Sequence, residues 1–447
     1  MRKLISSSIV VLIVGILVGL SSRFFAGASA GTVGVANINS GDTAWVLVAT
    51  ALVMVMTPAV GFFYGGMVRR KNVVSILKQS FVILAIVSLQ WVLVGYSLVF
   101  GKDIHGIIGG LGFVGLRNVG FGPNPMYAAT IPQLAFMMFQ AMFAIITPAL
   151  IIGAVAERIS FKTLIIFTLL WTTVIYDPIA HWVWGMGGWL HGLGALDFAG
   201  GTVVHISAGF AGLCAAMLVG GRSLGKSKQT VQHAHNVPFV FLGAALLWFG
   251  WFGFNAGSAL AASGLAWNAF VTTNTAAAAA GLVWMFLSWR EHKKPSALAT
   301  ATGAVCGLVA ITPASGFVGP MASIAIGIIA GVVTYLALVL RTKKIPVDDT
   351  LDVWAAHGVG GMTGALLTGV FAEKAINAAG SNGLLFGNPN QLIIQLIAVG
   401  ATAFYAFLGT WVLLKLLSFQ MKLRVTKAEE KIGLDEASHG EIGYVLS

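Results

Sequence analysis

The sequence predicts an all-α polytopic membrane protein, and three observations carry that prediction. The chain is 57% hydrophobic and only 9% charged over 447 residues, where a soluble domain carries about 25% charged residues. Mostly apolar stretches, each near the ~20 residues a helix needs to cross a bilayer, follow one another almost end to end. Short Lys/Arg clusters separate alternate pairs of them. A transmembrane barrel would instead show short strands of alternating polarity. The net charge of +11 does not indicate nucleic-acid binding, because the basic residues lie between apolar segments and form no stripe on a polar domain.

The N-terminus has the layout of a secretory signal peptide over residues 1–30. Arg2 and Lys3 precede an apolar run from Ile9 to Leu20, and Ala28-Ser29-Ala30 offers a small-residue cleavage site before Gly31. An uncleaved first helix is the alternative. The transmembrane domain follows over 31–420, and 421–447 is too polar to cross the membrane.

Eleven spans are expected, near 43–67, 73–99, 131–156, 161–184, 201–219, 237–259, 265–289, 298–313, 318–340, 352–372 and 390–418. The basic residues test that count. Arg69-Arg70-Lys71, Arg158 with Lys162, Arg222 with Lys226 and Lys228, Arg290 with Lys293-Lys294, and Arg341 with Lys343-Lys344 fall in every second loop, and the tail adds Lys422, Arg424, Lys427 and Lys431. Basic loops stay in the cytoplasm, so the mature N-terminus is expected outside and the tail inside a cell (inner) membrane. Lys78, just inside the second span, is expected to snorkel to the cytoplasmic surface.

An odd span count invites division into five, five and one. Five crossings reverse orientation, so spans one to five would pair with six to ten as an inverted repeat. Gly61-Phe62-Phe63-Tyr64-Gly65-Gly66 has an echo in Gly250-Trp251-Phe252-Gly253-Phe254-Asn255. Asp197 leads into His205, and Asp352 into His357. Imidazoles are costly within a span and mark pathways, and they exchange protons near neutral pH. As pseudo-symmetry mates these two would meet near mid-membrane and line a pore. Paired small residues, such as Gly209 with Gly212 and Gly360 with Gly364, bring helices close and imply a narrow path and a small cargo.

The other polar and aromatic residues are less specific one by one. Cys214 and Cys306 lie in apolar segments and read as packing residues. Asp177 and His181, near the outer end of span four, read first as helix-end hydrogen-bonding groups. Phe139 and Phe143 share a helix face, Trp184 closes span four, and Trp251 and Phe254 share a face of span six with Ser258 a turn further on. Together such aromatics suit a desolvated cation, where cation–π attraction reaches about 2 kcal/mol.

Four runs carry a resemblance. Asp197-Phe198-Ala199-Gly200-Gly201-Thr202-Val203-Val204-His205, Gly250 through Ser258, Phe63-Tyr64-Gly65-Gly66 and Gly153-Ala154-Val155-Ala156-Glu157-Arg158 resemble the ammonium transporter family, in a bacterial-type member. The likeness extends to Gly433-Leu434-Asp435 and Ser438-His439-Gly440-Glu441 in the tail. The resemblance implies eleven helices with the pore inside each subunit, and a homotrimer in the lipid membrane. It implies ammonium (methylammonium as analogue) recruited outside by Phe143, Trp184 and Ser258. It further implies a phenyl gate of Phe143 and Phe254, Phe139 and Trp251 on the vestibule wall, Asp197 supporting the site without touching substrate, and His205 and His357 as the pore pair. No cofactor or metal is implied. In bacterial members a trimeric PII signalling protein docks on the cytoplasmic face, so PII is the expected partner.

Three rivals remain. A Rhesus-type ammonia or carbon dioxide channel has little use for the cation site that Trp184 and Ser258 suggest. A sensor of the same fold usually carries a fused signalling domain. An intramembrane enzyme would need acids or thiols near the histidines, and none stands at ligand spacing within a span.

Overall fold

The computed structural model describes residues 37–223 and 234–445. The predicted signal peptide and the Lys226–Lys228 cluster lie outside the described residues. Among the described residues, nine helices are long and apolar enough to cross a membrane: α1 Ser40–Met67, α2 Arg70–Phe100, α3 Gln133–Val155, α4 Phe161–Leu193, α5 Gly201–Val219, α6 Val237–Ala259, α7 Gly264–His292, α9 Pro320–Lys344 and α11 Pro389–Gln420. Two of the eleven expected segments are shorter helices: α8 Ala297–Ile311, and α10, which runs from Trp354–Val359 into Gly360–Phe371. Two small antiparallel hairpins, Asp103–Ile104 with Ile108–Gly109 and Pro123–Asn124 with Ala128–Pro132, fill the connection between α2 and α3.

Helix ends follow local chemistry. The Asn39 side chain accepts from Asp42 N (3.0 Å), Asn236 from Phe239 N (3.0 Å) and Ser296 from Ala299 N (3.2 Å). Each satisfies one of the N–H groups a helix start leaves unpaired. Pro320 and Pro389 open α9 and α11, where the missing N–H costs nothing.

Glycine sets how closely the spans pack. A Cβ on Gly209 of α5 would lie 2.1 Å from the backbone N of Gly358 in α10. One on Gly364 of α10 would lie 2.0 Å from the Ala310 carbonyl oxygen of α8, and one on Gly243 of α6 would lie 2.3 Å from Phe63 N of α1. The α5–α10 contact matters most, since each of those helices carries one pore histidine.

One pairing differs from the sequence reading. Asp352 is not the counterpart of Asp197. Its carboxylate meets Arg341 Nη2 at 2.5 Å. The counterpart is Asp349, whose Oδ1 accepts from Val353 N (3.1 Å) and Oδ2 from Trp354 N (2.8 Å) at the start of α10. Asp197 does the same for α5, accepting from Gly200, Gly201, Thr202 and Val203 at 2.7–3.1 Å. Each acid stands eight residues before its histidine.

The face that carries the tail is tied by buried charge. The Glu157 carboxylate, whose side chain is fully buried, takes Arg69 N (2.6 Å) and Nε (2.8 Å), with Arg222 Nη1 at 3.7 Å. Arg222 Nη2 also donates to Asp348 Oδ1 at 2.8 Å. Arg158 is wholly buried and donates to the carbonyls of Ala154, Ala156, Gly220 and Asp348 and to Thr350 Oγ1. The tail is ordered on this face as α12 Lys427–Ile432 and α13 Leu434–His439. Asp435 Oδ1 accepts from Ser75 N (2.7 Å), Leu434 N donates to Asn72 Oδ1 (2.8 Å), and Tyr444 Oη meets His235 Nε2 (3.1 Å). Lys78 reaches Glu441 (3.6 Å), so it holds the tail while extending to the surface.

Candidate functional site

A line of side chains crosses the centre of the molecule between two cavities. The first cavity, about 280 Å³, opens on the hairpin side and is lined by Phe143, Trp184, Asp197 and Ser258 among others. The second, about 850 Å³, opens on the tail side and has His357 at its inner end. Phe143, Phe254, His205 and His357 lie in sequence between the two.

Three of these four residues sit on π-helical turns: His205 on Gly201–Ile206, Phe254 on Phe252–Ala256 and His357 on Trp354–Val359. Single π turns are frequent at functional sites, where the extra residue redirects a side chain. Asp197 prepares the first of them. Its carboxylate takes four successive N–H groups, and Gly200 supplies the turn at φ 109° that L side chains rarely adopt. Asp197 therefore shapes the backbone below the cavity with oxygens already engaged.

At the mouth, Trp184 stands edge-on to Phe143 with ring centroids 5.6 Å apart, and its Nε1 donates to the Asp197 carbonyl at 2.9 Å. Ser258 Oγ donates to Phe254 O at 2.8 Å, which leaves its lone pairs available at the cavity it lines. Below, Phe143 and Phe254 touch at 4.5 Å between centroids and are 1% and 0% exposed, so the path is closed to water between them. Phe139 packs edge-on behind Phe143 at 5.0 Å. Trp251 lies deeper than the vestibule wall expected from its sequence position. Its ring stacks on His205 at 5.4 Å, and its Nε1 donates to Thr312 Oγ1 at 2.9 Å.

The histidines lie 3.3 Å apart, Nδ1 to Nδ1, with rings tilted by 24°. One nitrogen must donate and the other accept, so a single proton serves the contact. The His205 Nε2 is buried with no partner among the described residues, and the imidazole stacks with the Trp251 and Phe254 rings. The arrangement offers hydrogen bonds to a small molecule passing a dry, apolar constriction, together with a route for one proton.

Asp177 and His181 are fully buried and do not reach the cavity mouth. His181 meets Val99 O (2.6 Å) and Asp103 Oδ1 (2.9 Å), while Asp177 accepts from Gln90 Nε2 (2.8 Å). Both bond across to α2 or to the hairpin after it, and among the described residues Asp177 makes no capping bond at the end of its own helix, so the helix-end role read from the sequence is not what the structure shows. Asp349 escapes a reading of the sequence that pairs Asp352 with Asp197, although the eight-residue spacing of Asp197 and His205, repeated before His357, points to it. Cys214 and Cys306 are buried and free.

Fold and site together define a polytopic membrane protein with a narrow central path. The sequence profile of the Ammonium Transporter Family matches residues 44–444. The chain is 51% identical over 407 residues to the ammonium transporter Amt1 of Archaeoglobus fulgidus, covering 91% of this chain and all of that one. It is 50% identical over 404 residues to the ammonium transporter of Bacillus subtilis, covering 90% and 98%. The crystal structure of Saccharomyces cerevisiae Mep2 superposes with a TM-score of 0.84 at 37% identity, covering 92% of this chain and 93% of that one. A sensor Amt protein superposes with a TM-score of 0.82 at 33% identity, covering 89% and 98%. The chain belongs to the ammonium transporter family.

Proposed function

We propose that the protein recruits ammonium in the cavity on the hairpin side, strips its proton and passes ammonia through the histidine constriction, with the proton relayed separately. The observation that supports this most is the 3.3 Å His205–His357 contact set beneath a closed pair of phenyl rings. An unpaired cation cannot enter that constriction cheaply, whereas neutral ammonia can. Phe143, Trp184 and Ser258 replace part of the ion's water at the mouth. Potassium has no proton to lose, so it is rejected by chemistry as well as by fit.

The same reading places the hairpin side outside the cell and the tail in the cytoplasm, after cleavage near Gly31. It also comprises an eleven-span subunit, a homotrimer in the inner membrane, and a PII signalling protein docking on the tail face. Three copies facing a trimeric partner turn modest contacts into tight binding through effective concentration.

The test is saturable uptake of labelled methylammonium into proteoliposomes, competed by ammonium and not by potassium. Uptake that rises linearly without saturation favours a neutral-gas channel and contradicts the recruitment step. Retention of a PII protein from ammonium-shocked membranes by the full chain, and its loss on truncation after Leu423, tests the partner. Absence of retention under every nitrogen condition removes PII from the account.

A further inference from the structure

Asp177 is a buried acid that the transport path does not use. It is 0% exposed and follows a π-helical turn, Thr172–Tyr176, in α4. Across from it, Gln90 is 3% exposed and precedes another π-helical turn, Trp91–Gly95, in α2. Gln90 Nε2 donates to Asp177 Oδ2 at 2.8 Å and to Thr173 Oγ1 at 3.2 Å. The Thr173 hydroxyl proton is already given to Leu169 O at 2.9 Å, so Thr173 can only accept here. That fixes the orientation of the carboxamide, because a flipped amide would set its oxygen against Thr173 Oγ1, which has no proton left to give.

With this orientation two buried acceptors are left over, Asp177 Oδ1 and Gln90 Oε1. Among the described residues no basic side chain bonds to or pairs with Asp177; His181, one turn on, is spent on Val99 O and Asp103. A carboxylate buried without a counter-charge is the costliest arrangement available, and such a group takes up a proton instead. A buried acceptor without a donor also costs about 1–3 kcal/mol. One proton on Oδ1 removes both costs. The Nε2–H···Oδ2 bond is half of the two-bond ring that a carboxylic acid and a carboxamide form, and the missing half is Oδ1–H···Oε1.

We propose that Asp177 is a neutral carboxylic acid, protonated on Oδ1 and closed into an acid–amide ring with Gln90, and that this ring positions the Trp184 end of its helix. Asp177–Trp184 is the eight-residue α-helical stretch of α4 that follows the π turn. The Gln90 ring pins its first residue and the His181–Asp103 bond pins its middle, so the Trp184 indole is set by a rod fixed at two points. The protonation half rests on the Gln90 bond and the two leftover acceptors; the positioning half rests on the recruitment role proposed for Trp184.

The test is infrared difference spectroscopy of the reconstituted full chain, labelled with side-chain ¹³C-aspartate. The wild-type-minus-D177N spectrum should contain a protonated-carboxyl C=O band that persists from mildly acidic to alkaline buffer. In Q90L that band should remain but move up in frequency, as a carboxyl that has lost its ring partner does. Uptake of methylammonium by D177N, whose carboxamide can rebuild a two-bond ring, should half-saturate within about twofold of wild type, and D177V should raise half-saturation by about tenfold at similar maximal flux. A wild-type-minus-D177N spectrum without the band overturns the proposal, as does a Q90L band at the wild-type frequency should D177N fail to fold. A band with the predicted behaviour but unchanged half-saturation in D177V keeps the neutral acid and overturns the positioning role.

Discussion

At the residue scale, the pore is defined by what its side chains leave unsatisfied. Ser258 Oγ spends its proton on Phe254 O and keeps its lone pairs for the cavity, and Trp184 presents a ring beside Phe143. Trp184→Leu should raise the methylammonium concentration for half-saturation about tenfold through lost cation–π attraction, read from uptake curves; Ser258→Ala should do so by a smaller factor. Matching saturation in both variants and in the wild type would remove the cation site. Residue type and neighbouring sequence are enough to make Phe143, Trp184, Ser258, Phe254, His205 and His357 legible as candidates. The depth of Trp251 is not legible, because a shared helix face with Phe254 does not say which end of the path it borders. It stacks on His205 from the last residue before the π turn at Phe252–Ala256, which changes the phase between Trp251 and Phe254, and sequence periodicity assumes an ordinary helix.

At the element scale, two helices meet through backbone and are started by acids. Gly209→Ala would drive a methyl to 2.1 Å from Gly358 N. Backbone cannot yield as a flexible side chain can, so overpacking should cost about 1–3 kcal/mol. The measurement is thermal stability in detergent, with uptake falling as the histidine pair is pushed apart. Asp197→Ala strands four buried N–H groups of the turn that carries His205. It should lower maximal uptake more than it shifts half-saturation, and Asp197→Asn should recover only part, since one side of an amide cannot accept. Hydrophobic length finds nine of the spans readily, but α8 and α10 are short. The acid before α10 is ambiguous in sequence because Asp349 and Asp352 stand three residues apart, and only the backbone shows which one caps.

At the scale of the whole molecule, buried charge on the tail face joins loops far apart in sequence. Burial alone would raise the Asp348 carboxyl, but the hydrogen bonds and charge of Arg222 outweigh it and hold the group at about 2. Its folded value therefore lies below the unfolded value of about 3.9. The stability it contributes is present above pH ~4 and is lost as pH falls toward ~2, on the order of 2 kcal/mol. Asp348→Asn should flatten melting temperature over that acid window, and an unchanged acid slope would contradict the coupling. Glu157→Gln should destabilise the fold at neutral pH by about 1–3 kcal/mol, since Arg69 loses its carboxylate partner while Arg222 keeps Asp348. In the sequence these charges are legible as topology signals but their partners are not, because each pairing closes a loop of scores of residues. The tail is legible only through its resemblance to the family, since composition alone makes it a solvated end; in the structure Asp435 and Leu434 bind it to the start of α2 and Tyr444 binds it to His235.

The central claim is that substrate and proton both pass the His205–His357 pair, and it is tested most directly by recording current and labelled methylammonium uptake together in proteoliposomes holding wild type, His205→Ala or His357→Ala. The account predicts saturable uptake with an accompanying current in the wild type, and loss of the current in both variants while each still folds. Wild-type currents and uptake in both variants would contradict it.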